Sequence, residues 1–192
     1  YWELITKKLN ISYSNSFFDT FNEQLVSIKD KKKDMIYSSG YTKKREGYSL
    51  FTKPYATFPI SIVTSKDENF IQDASSLLNK KIAVGKNFTA HILLKEKYPN
   101  MNFVLVDNIE EGLSYVENKK VYAFVDIQPV LLYNINKLGF TNLKITGNTG
   151  LNFDLRFMIR NDYPLLQSAL NKAIDSISQN ELNHIVSKWN NV

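Results

Sequence analysis

Apolar residues in the amino-terminal part of the chain recur at helical and then at strand spacing. A first helix carries its apolar face on Trp2, Leu4, Ile5 and Leu9. A short strand is expected at 11–13, and a second helix then places Phe18, Phe21, Leu25 and Ile28 on one face. Residues 34–39 are typical of a buried strand that ends in a polar turn. This part of the chain predicts an α/β unit.

The alternation starts again with a long β-rich run at 58–64. A new set of elements opens at 71–78 and continues as strand 81–84, helix 89–98, strand 103–106, helix 109–116, strand 122–125, helix 129–138 and strand 143–145. A second extended run at 152–159 leads to two terminal helices. Their apolar faces are Leu165, Leu166, Ala169, Ala173 and Ile177, followed by Leu182, Ile185, Val186 and Trp189. Strands alternating with helices favour a parallel α/β sheet.

Two of these helices carry the spacing of a capping box. Asn108 precedes Glu111 by three residues, and Ser178 precedes Glu181 by the same interval. In a capping box the two side chains satisfy each other's backbone N–H groups at the start of a helix. Helices are therefore expected to begin directly after Asn108 and after Ser178.

The two extended runs bracket one complete α/β block inside another, which predicts a two-lobed α/β fold. Lobe 1 is expected to comprise 1–57 and 160–192, and the inserted lobe 2 to comprise 63–154. The crossings 58–62 and 155–159 would form the hinge. Ligands of such domains bind beyond the carboxyl ends of the strands, here in the cleft that the lobes would form.

Composition narrows the class of protein. The chain has 192 residues, 43% of them hydrophobic, and no cysteine, so it can fold around a core but has neither disulfides nor a thiolate site. No apolar run approaches the roughly 18 residues of a spanning helix, and the start lacks the sections of a signal peptide. An export signal or membrane anchor is therefore expected in flanking sequence.

The sequence does not support nucleic-acid binding, phosphate binding, metal binding or catalysis. The net charge is +5, but the lysines form short scattered clusters rather than a basic stripe, so nucleic-acid binding is not expected. Phosphate-binding glycine motifs are absent, and His91 and His184 have no partner at metal-ligand spacing. Acidic pairs such as Glu110–Glu111 fall in the first turn of a helix, which the helix dipole favours. No catalytic residue, metal site or cofactor is predicted.

The segment 42–55 carries the most specific motif. Its residues Thr42, Arg45, Phe51, Thr52, Pro54 and Tyr55 match the pattern T-x-x-R-x-x-x-x-x-F-T-x-P-Y. Here the chain resembles family 3 of the bacterial extracellular solute-binding proteins, and especially the Venus-flytrap sensor domains of membrane histidine kinases and diguanylate cyclases. Further matches follow in order along the chain: residues 58–64, 81–84, 110–113, 123–126 and 188–189. The resemblance implies the type II periplasmic-binding-protein fold.

The resemblance also implies a set of ligand contacts. In the amino-acid-binding branch of the family, the arginine at the position of Arg45 makes two parallel hydrogen bonds to the ligand carboxylate. The aspartate at the position of Asp126 accepts hydrogen bonds from the ligand ammonium group. Thr89 falls where the family presents donors to the carboxylate, and Phe88, directly before it, is also expected to contact the ligand. Ser39, Gly40 and Thr42 would line the lobe-one turn. Simpler roles are an ion pair of Arg45 with Glu46 or Asp34, and helix N-caps for Asp126 and Thr89.

The chain departs from the family pattern at several positions. Asn87 stands where glycine is usual, Tyr41 where a small residue or proline is common, and Lys44 where glutamate is common. Family members begin with a strand and an aromatic loop, and Tyr1–Trp2 corresponds to a point after both. The resemblance therefore predicts that one amino-terminal strand is absent from this sequence.

The expected function is extracytoplasmic, periplasmic-type binding of an amino acid or small carboxylate with lobe closure. The sensor-like motif favours an input domain of a transmembrane signalling protein. The domain would be anchored to the membrane through flanking segments, and the parent protein would form a homodimer. Alternatives are a free receptor of an ABC transporter, a periplasmic dehydratase-type enzyme on the same fold, and a structural domain with a degenerate cleft. The domain itself is expected not to be an enzyme.

Overall fold

The computed structural model describes residues 1–190, without the side chains of Val186, Lys188, Trp189 and Asn190. The helices are α1 (Trp2–Leu9), α2 (Phe21–Lys29), α3 (Lys43–Glu46), α4 (Thr89–Lys97), α5 (Ile109–Glu117), α6 (Gln128–Lys137), α7 (Pro164–Asp175) and α8 (Gln179–Asn190). The strands are β1 (Met35–Ser39), β2 (Ser49–Phe51), β3 (Ala56–Ser65), β4 (Lys81–Gly85), β5 (Asn102–Val106), β6 (Ala123–Ile127) and β7 (Leu143–Arg160). One 3-10 turn spans Ala74–Leu77.

The chain divides into two compact units. Unit 1 comprises Tyr1–Asp19, Glu23–Ala56 and the chain from Leu155 onward, and unit 2 comprises Thr20–Asn22 and Thr57–Asp154. The chain passes from unit 1 to unit 2 at the start of β3 and returns within β7. The mixed α/β class with two β crossings, predicted from the sequence, is confirmed.

Unit 1 is built on the last part of β7. This segment pairs antiparallel with β1, where Ile36 lies opposite Met158, and with β2, where Leu50 lies opposite Ile159. Helices α1 and α7 supply the rest of the core, whose buried members are Ile5, Phe157, Ile159, Leu170 and Ala173. Each of the larger side chains, Ile, Phe and Leu, contributes roughly 1.5–3 kcal/mol when it is fully buried.

Unit 2 contains the parallel strands of the protein. β4 pairs in parallel with β5 on one side and with β6 on the other, and β3 pairs antiparallel with β6. The first part of β7 lies beside β3. Residues 123–126 of β6 are all buried, as expected for a strand covered on both faces. Helix α5 packs Leu113 and Val116 against Phe124.

Both helices begin where predicted, and the capping box of α8 is complete. At α5 only the N-cap bond forms as predicted, because the Glu111 side chain accepts from Asp107 N instead of Asn108 N. Glu111 N donates to Asn108 Oδ1 over 2.9 Å, and Asp107 N donates to Glu111 Oε2 over 2.8 Å. At α8, Ser178 N donates to Glu181 Oε2 over 2.8 Å. The side chains of Val186 and Trp189, predicted on the apolar face of α8, lie outside the described residues.

The strand predicted at 11–13 is wrong. Helix α1 ends on Asn10 in the left-handed conformation (φ 51°), and Ile11 N donates back to Thr6 O over 3.1 Å. Residues 11–17, which follow this turn, are exposed and belong to no strand. Tyr13 packs its ring against Trp2, with 5.3 Å between centroids, instead of entering a strand.

The predicted interruption between 145 and 152 is also wrong, because β7 is continuous over 18 residues. Thr149 Oγ1 donates to Ile60 O over 2.9 Å, and Thr64 Oγ1 donates to Thr146 Oγ1 over 3.1 Å. These hydroxyls satisfy the polar middle of the strand against β3, so the polar sequence does not break it. Among the described residues, no helix has both the length and the apolar character that a bilayer crossing requires.

Candidate ligand-binding site

In unit 1, the predicted residues after β1 are brought together in one turn. Ser39 ends the strand, and Thr42 forms the N-cap of α3, where its Oγ1 accepts from Arg45 N over 3.2 Å. Ser49 Oγ donates to Arg45 O over 2.7 Å. The backbone of Arg45 is therefore fixed on both sides by short polar residues.

The Arg45 side chain is 2% exposed. Its Nη1 donates to Gly40 O over 2.8 Å and to Ser39 Oγ over 3.3 Å. Burial lowers the pKa of Arg45 to about 10, which keeps the guanidinium charged at neutral pH. Arg45 is thus a buried arginine and not a surface one, while Asp34 pairs with Arg160 at 3.2 Å and Glu46 accepts from the Tyr41 hydroxyl over 2.6 Å.

In unit 2, the strand order reverses at the boundary between β4 and β6. The chain runs from β4 through α4 outward to β5, and then through α5 back across β4 to β6. In open α/β sheets, ligands bind at the carboxyl ends of strands at such a reversal. Thr89 follows β4 and Asp126 lies near the end of β6, so the topology brings both predicted residues to this edge.

The β4–α4 turn places Phe88 and Thr89. Asn87 adopts φ 62°, the conformation for which glycine is the usual residue. Phe88 is the N-cap of α4 without a side-chain capping bond, and Thr89 is the first helical residue and is buried. The simpler alternative, in which Thr89 is the N-cap of this helix, is therefore wrong.

A cavity of about 250 Å³ lies beside this turn within unit 2. It is lined by Thr20, Phe21, Asn22, Lys86, Phe88 and Asp107. The rings of Phe21 and Phe88 meet edge to face at 6.0 Å, and Asn87 Nδ2 donates to Asn22 Oδ1 over 3.2 Å. This role of Thr20–Asn22 was missed from the sequence, where Phe21 was assigned only to the apolar face of the second helix.

Asp126 is 5% exposed. Its Oδ1 accepts from Ile127 N over 2.8 Å. Within the described part of the chain, the Asp126 carboxyl group makes no other hydrogen bond and no ion pair. Burial raises the pKa of Asp126 to about 7. The N-cap role weighed for Asp126 is also wrong, because α6 begins at Gln128 with Ile127 as its N-cap.

Three polar residues beside Asp126 were missed from the sequence. Ser61 on β3 lies directly opposite Asp126 in the strand pairing. Its hydroxyl donates to Asn148 Oδ1 over 2.5 Å and faces Gln128 Oε1 at 3.4 Å. One available signal was the serine in the otherwise apolar run 60–63.

Among known proteins, this chain is similar to a bacterial sensor protein and to a probable amino-acid-binding protein. The virulence sensor protein BvgS of Bordetella pertussis is 28% identical over 188 residues, which are 97% of this chain and 15% of BvgS. The probable amino-acid-binding protein YxeM of Bacillus subtilis is 27% identical over 180 residues, which are 91% of this chain and 67% of YxeM. This chain thus spans about 15% of the BvgS sequence.

Solved structures agree with the sequence relatives. The crystal structure of the periplasmic VFT2 domain of Bordetella pertussis BvgS superposes with a TM-score of 0.87 at 28% identity, covering 98% of this chain and 80% of that domain. The sequence profile of the bacterial extracellular solute-binding proteins, family 3, matches residues 1–192. The chain therefore belongs to the bacterial extracellular solute-binding proteins of family 3 and is an extracytoplasmic domain with their periplasmic-binding-protein fold.

Proposed function

We propose that this chain binds a small ligand that carries an ammonium group, an amino acid in the simplest case, and that it serves as a sensory input domain. Asp126 accepts the ammonium, and Phe88 and Thr89 lie at the same edge of unit 2. Arg45, with Ser39, Gly40 and Thr42, supplies the carboxylate contact from unit 1. Lobe closure about the crossings 58–62 and 155–159, with lobes 1–57 plus 160–192 and 63–154, is part of this proposal.

One observation carries the proposal: Asp126 is a buried carboxyl group without a cationic partner among the described residues. Burying an unpaired carboxylate costs several kcal/mol, and proteins normally offset this cost with a counter-ion. The raised pKa of Asp126, about 7, reflects that cost. An ammonium group would supply the missing charge and favour the ionised carboxylate.

Arg45 supports the carboxylate contact by its charge and its rigidity. The guanidinium is held in one orientation by Gly40 O and Ser39 Oγ. A planar, permanently charged fork that is already oriented loses little side-chain entropy when it binds a carboxylate. The pattern of Arg45 and Thr42 in one turn matches the family motif on which this contact was predicted.

The relatives support a sensor, and one of them favours a second role. BvgS is named a sensor protein, and this chain resembles a periplasmic domain of it. YxeM is named a probable amino-acid-binding protein, and this chain covers 67% of it, which favours a free transport receptor as the alternative. Both roles rest on ligand binding without catalysis.

Calorimetric titration of the chain with the common L-amino acids tests the proposal. At least one amino acid should bind, and the matching carboxylate that lacks the amino group should bind at least tenfold more weakly. Asp126→Asn should abolish this preference for the ammonium. Asp67→Asn, which makes the same change on an exposed residue of unit 2, is the matched control. Equal affinity for both ligands, or unchanged selectivity in Asp126→Asn, would contradict the proposal.

A further inference from the structure

Three adjacent strands of unit 2 place Asn148, Ser61 and Asp126 in one row. Ser61 on β3 pairs directly with Asp126 on β6, and opposite residues of paired strands extend from the same face of the sheet. On the other side of β3, the Ser61 hydroxyl donates to Asn148 Oδ1 on β7 over 2.5 Å. Gln128, two residues after Asp126, reaches the same hydroxyl with Oε1 at 3.4 Å.

This polar row lies where the apolar core of unit 2 ends. The pair two residues away on the same face is Val63 and Phe124, and both belong to the core cluster. Ser61 has 0% exposure, whereas Asn148 is exposed and Gln128 is half-buried. The row therefore leads from the buried Asp126 carboxyl to solvent, and its members are charge-neutral apart from Asp126.

The two amides retain hydrogen-bonding capacity. Across the described residues, the bond with Ser61 is the one side-chain hydrogen bond of Asn148, and the 3.4 Å contact with Ser61 Oγ is the one polar side-chain contact of Gln128. Each amide offers two N–H donors and an oxygen with two lone pairs. With the Asn148 oxygen facing Ser61, its Nδ2 donors remain for another molecule.

We propose that Asn148, Ser61 and Gln128 form a specificity-determining subsite that extends the Asp126 site and selects a ligand with a neutral, hydrogen-bonding side group such as a carboxamide. This proposal rests on the function proposed above. A site built from hydrogen-bonding groups rejects an apolar analogue, because its polar groups would remain unpaired. It also disfavours a cationic side group, since the amides and the hydroxyl add no counter-charge.

Pairs of amino acids with closely similar shapes provide the test. Calorimetry would compare L-asparagine with L-leucine, L-glutamine with L-methionine, and L-arginine as the cationic probe. In at least one pair the amide should bind at least tenfold more tightly than its apolar partner, and more tightly than arginine. Asn148→Ala or Gln128→Ala should reduce this preference by about tenfold, the loss expected for one or two hydrogen bonds.

A matched control separates recognition from simple support of the strands. Thr146→Val removes the 3.1 Å hydrogen bond from Thr64, which also joins β7 to β3, and it should lower the melting temperature without changing the ratio of affinities. Tighter binding of the apolar partners or of arginine, or an unchanged preference in both amide variants, would overturn the subsite and leave the Asp126 site intact. Absence of binding by every amino acid would overturn the proposed function, and the subsite with it.

Discussion

The ring of Phe88 lies directly on the backbone of Gly85. A Cβ atom at Gly85 would lie 2.3 Å from Phe88 Cδ2, well inside van der Waals contact. Because the same ring lines the cavity of unit 2, residue 85 controls the position of a cavity wall. The absence of a side chain at the end of β4 is thus part of the geometry of the candidate site.

Gly85→Ala should therefore displace the Phe88 ring and weaken binding of an amino acid. Phe88 is half-buried and can move aside, so the affinity should fall by about tenfold or more while the free energy of unfolding falls by about 1 kcal/mol, the low end for overpacking. Calorimetry and urea denaturation measure the two effects. In the Phe88→Ala background the same substitution should cost almost nothing. An equal cost in both backgrounds would show that the ring is not what Gly85 accommodates.

Gly112→Ala should instead destabilise the core of unit 2. A Cβ atom there would lie 2.5 Å from Phe124 Cε2, and Phe124 is fully buried, so the ring has no open space to enter. We expect a loss of about 1–3 kcal/mol in the free energy of unfolding, measured by urea denaturation. Gly47→Ala is the control, because its Cβ atom would meet its nearest neighbour, Lys44 O, at an ordinary 3.5 Å. A loss as large at residue 47 would contradict the packing explanation.

Asp126 should make the ligand-free chain less stable as pH rises. Its folded-state pKa of about 7 lies above the usual value of 3.8, so the folded state binds an extra proton between these limits. Stability should therefore fall as pH rises from about 4 to about 7. Asp126→Asn should remove this contribution and raise the melting temperature at pH 8.

The comparison with the variant is essential because His91 acts in the opposite direction. Burial lowers the pKa of His91, so its contribution to stability is lost as pH falls below the usual value of 6.5. The difference in melting temperature between wild type and Asp126→Asn, measured from pH 5 to pH 8, isolates Asp126. A difference that does not grow with pH would contradict the raised pKa.

Local signals in the sequence predicted most elements of unit 2. The helical spacing of α5 and α6 depends on neighbours three or four residues away, and the apolar runs of β4, β5 and β6 reflect burial of a whole strand. The N-cap bond from Glu111 N to the Asn108 side chain is equally local and forms as expected. Such features are encoded within one element, so pattern alone identifies them.

The errors arose where distant contacts decide the structure. The sequence predicted a strand at 143–145 and a separate extended run at 152–159, but Thr149 and Thr146 bond to β3, which lies more than eighty residues earlier, within one continuous strand. The grouping of Ser61 with Asn148 has the same origin, since strand pairing brings them together. The family resemblance named Asp126, but only the fold revealed its burial and the neutral polar row beside it.

Arg45→Lys should separate the structural and binding roles of the guanidinium. Lysine keeps the charge but not the planar fork, so it cannot donate to Gly40 O and Ser39 Oγ as Arg45 does. The free energy of unfolding should fall by about 1–2 kcal/mol without ligand. The binding free energy of a carboxylate ligand should separately weaken by about 1.5–3 kcal/mol, the scale of a hydrogen bond to a charged group. Arg160→Lys is the control, because it makes the same change at an arginine of unit 1 that pairs with Asp34 and Asp162 outside the candidate site. It should lower stability slightly and leave affinity unchanged. If Arg45→Lys changes stability alone, measured by denaturation and calorimetry on the same samples, Arg45 only supports the turn after β1.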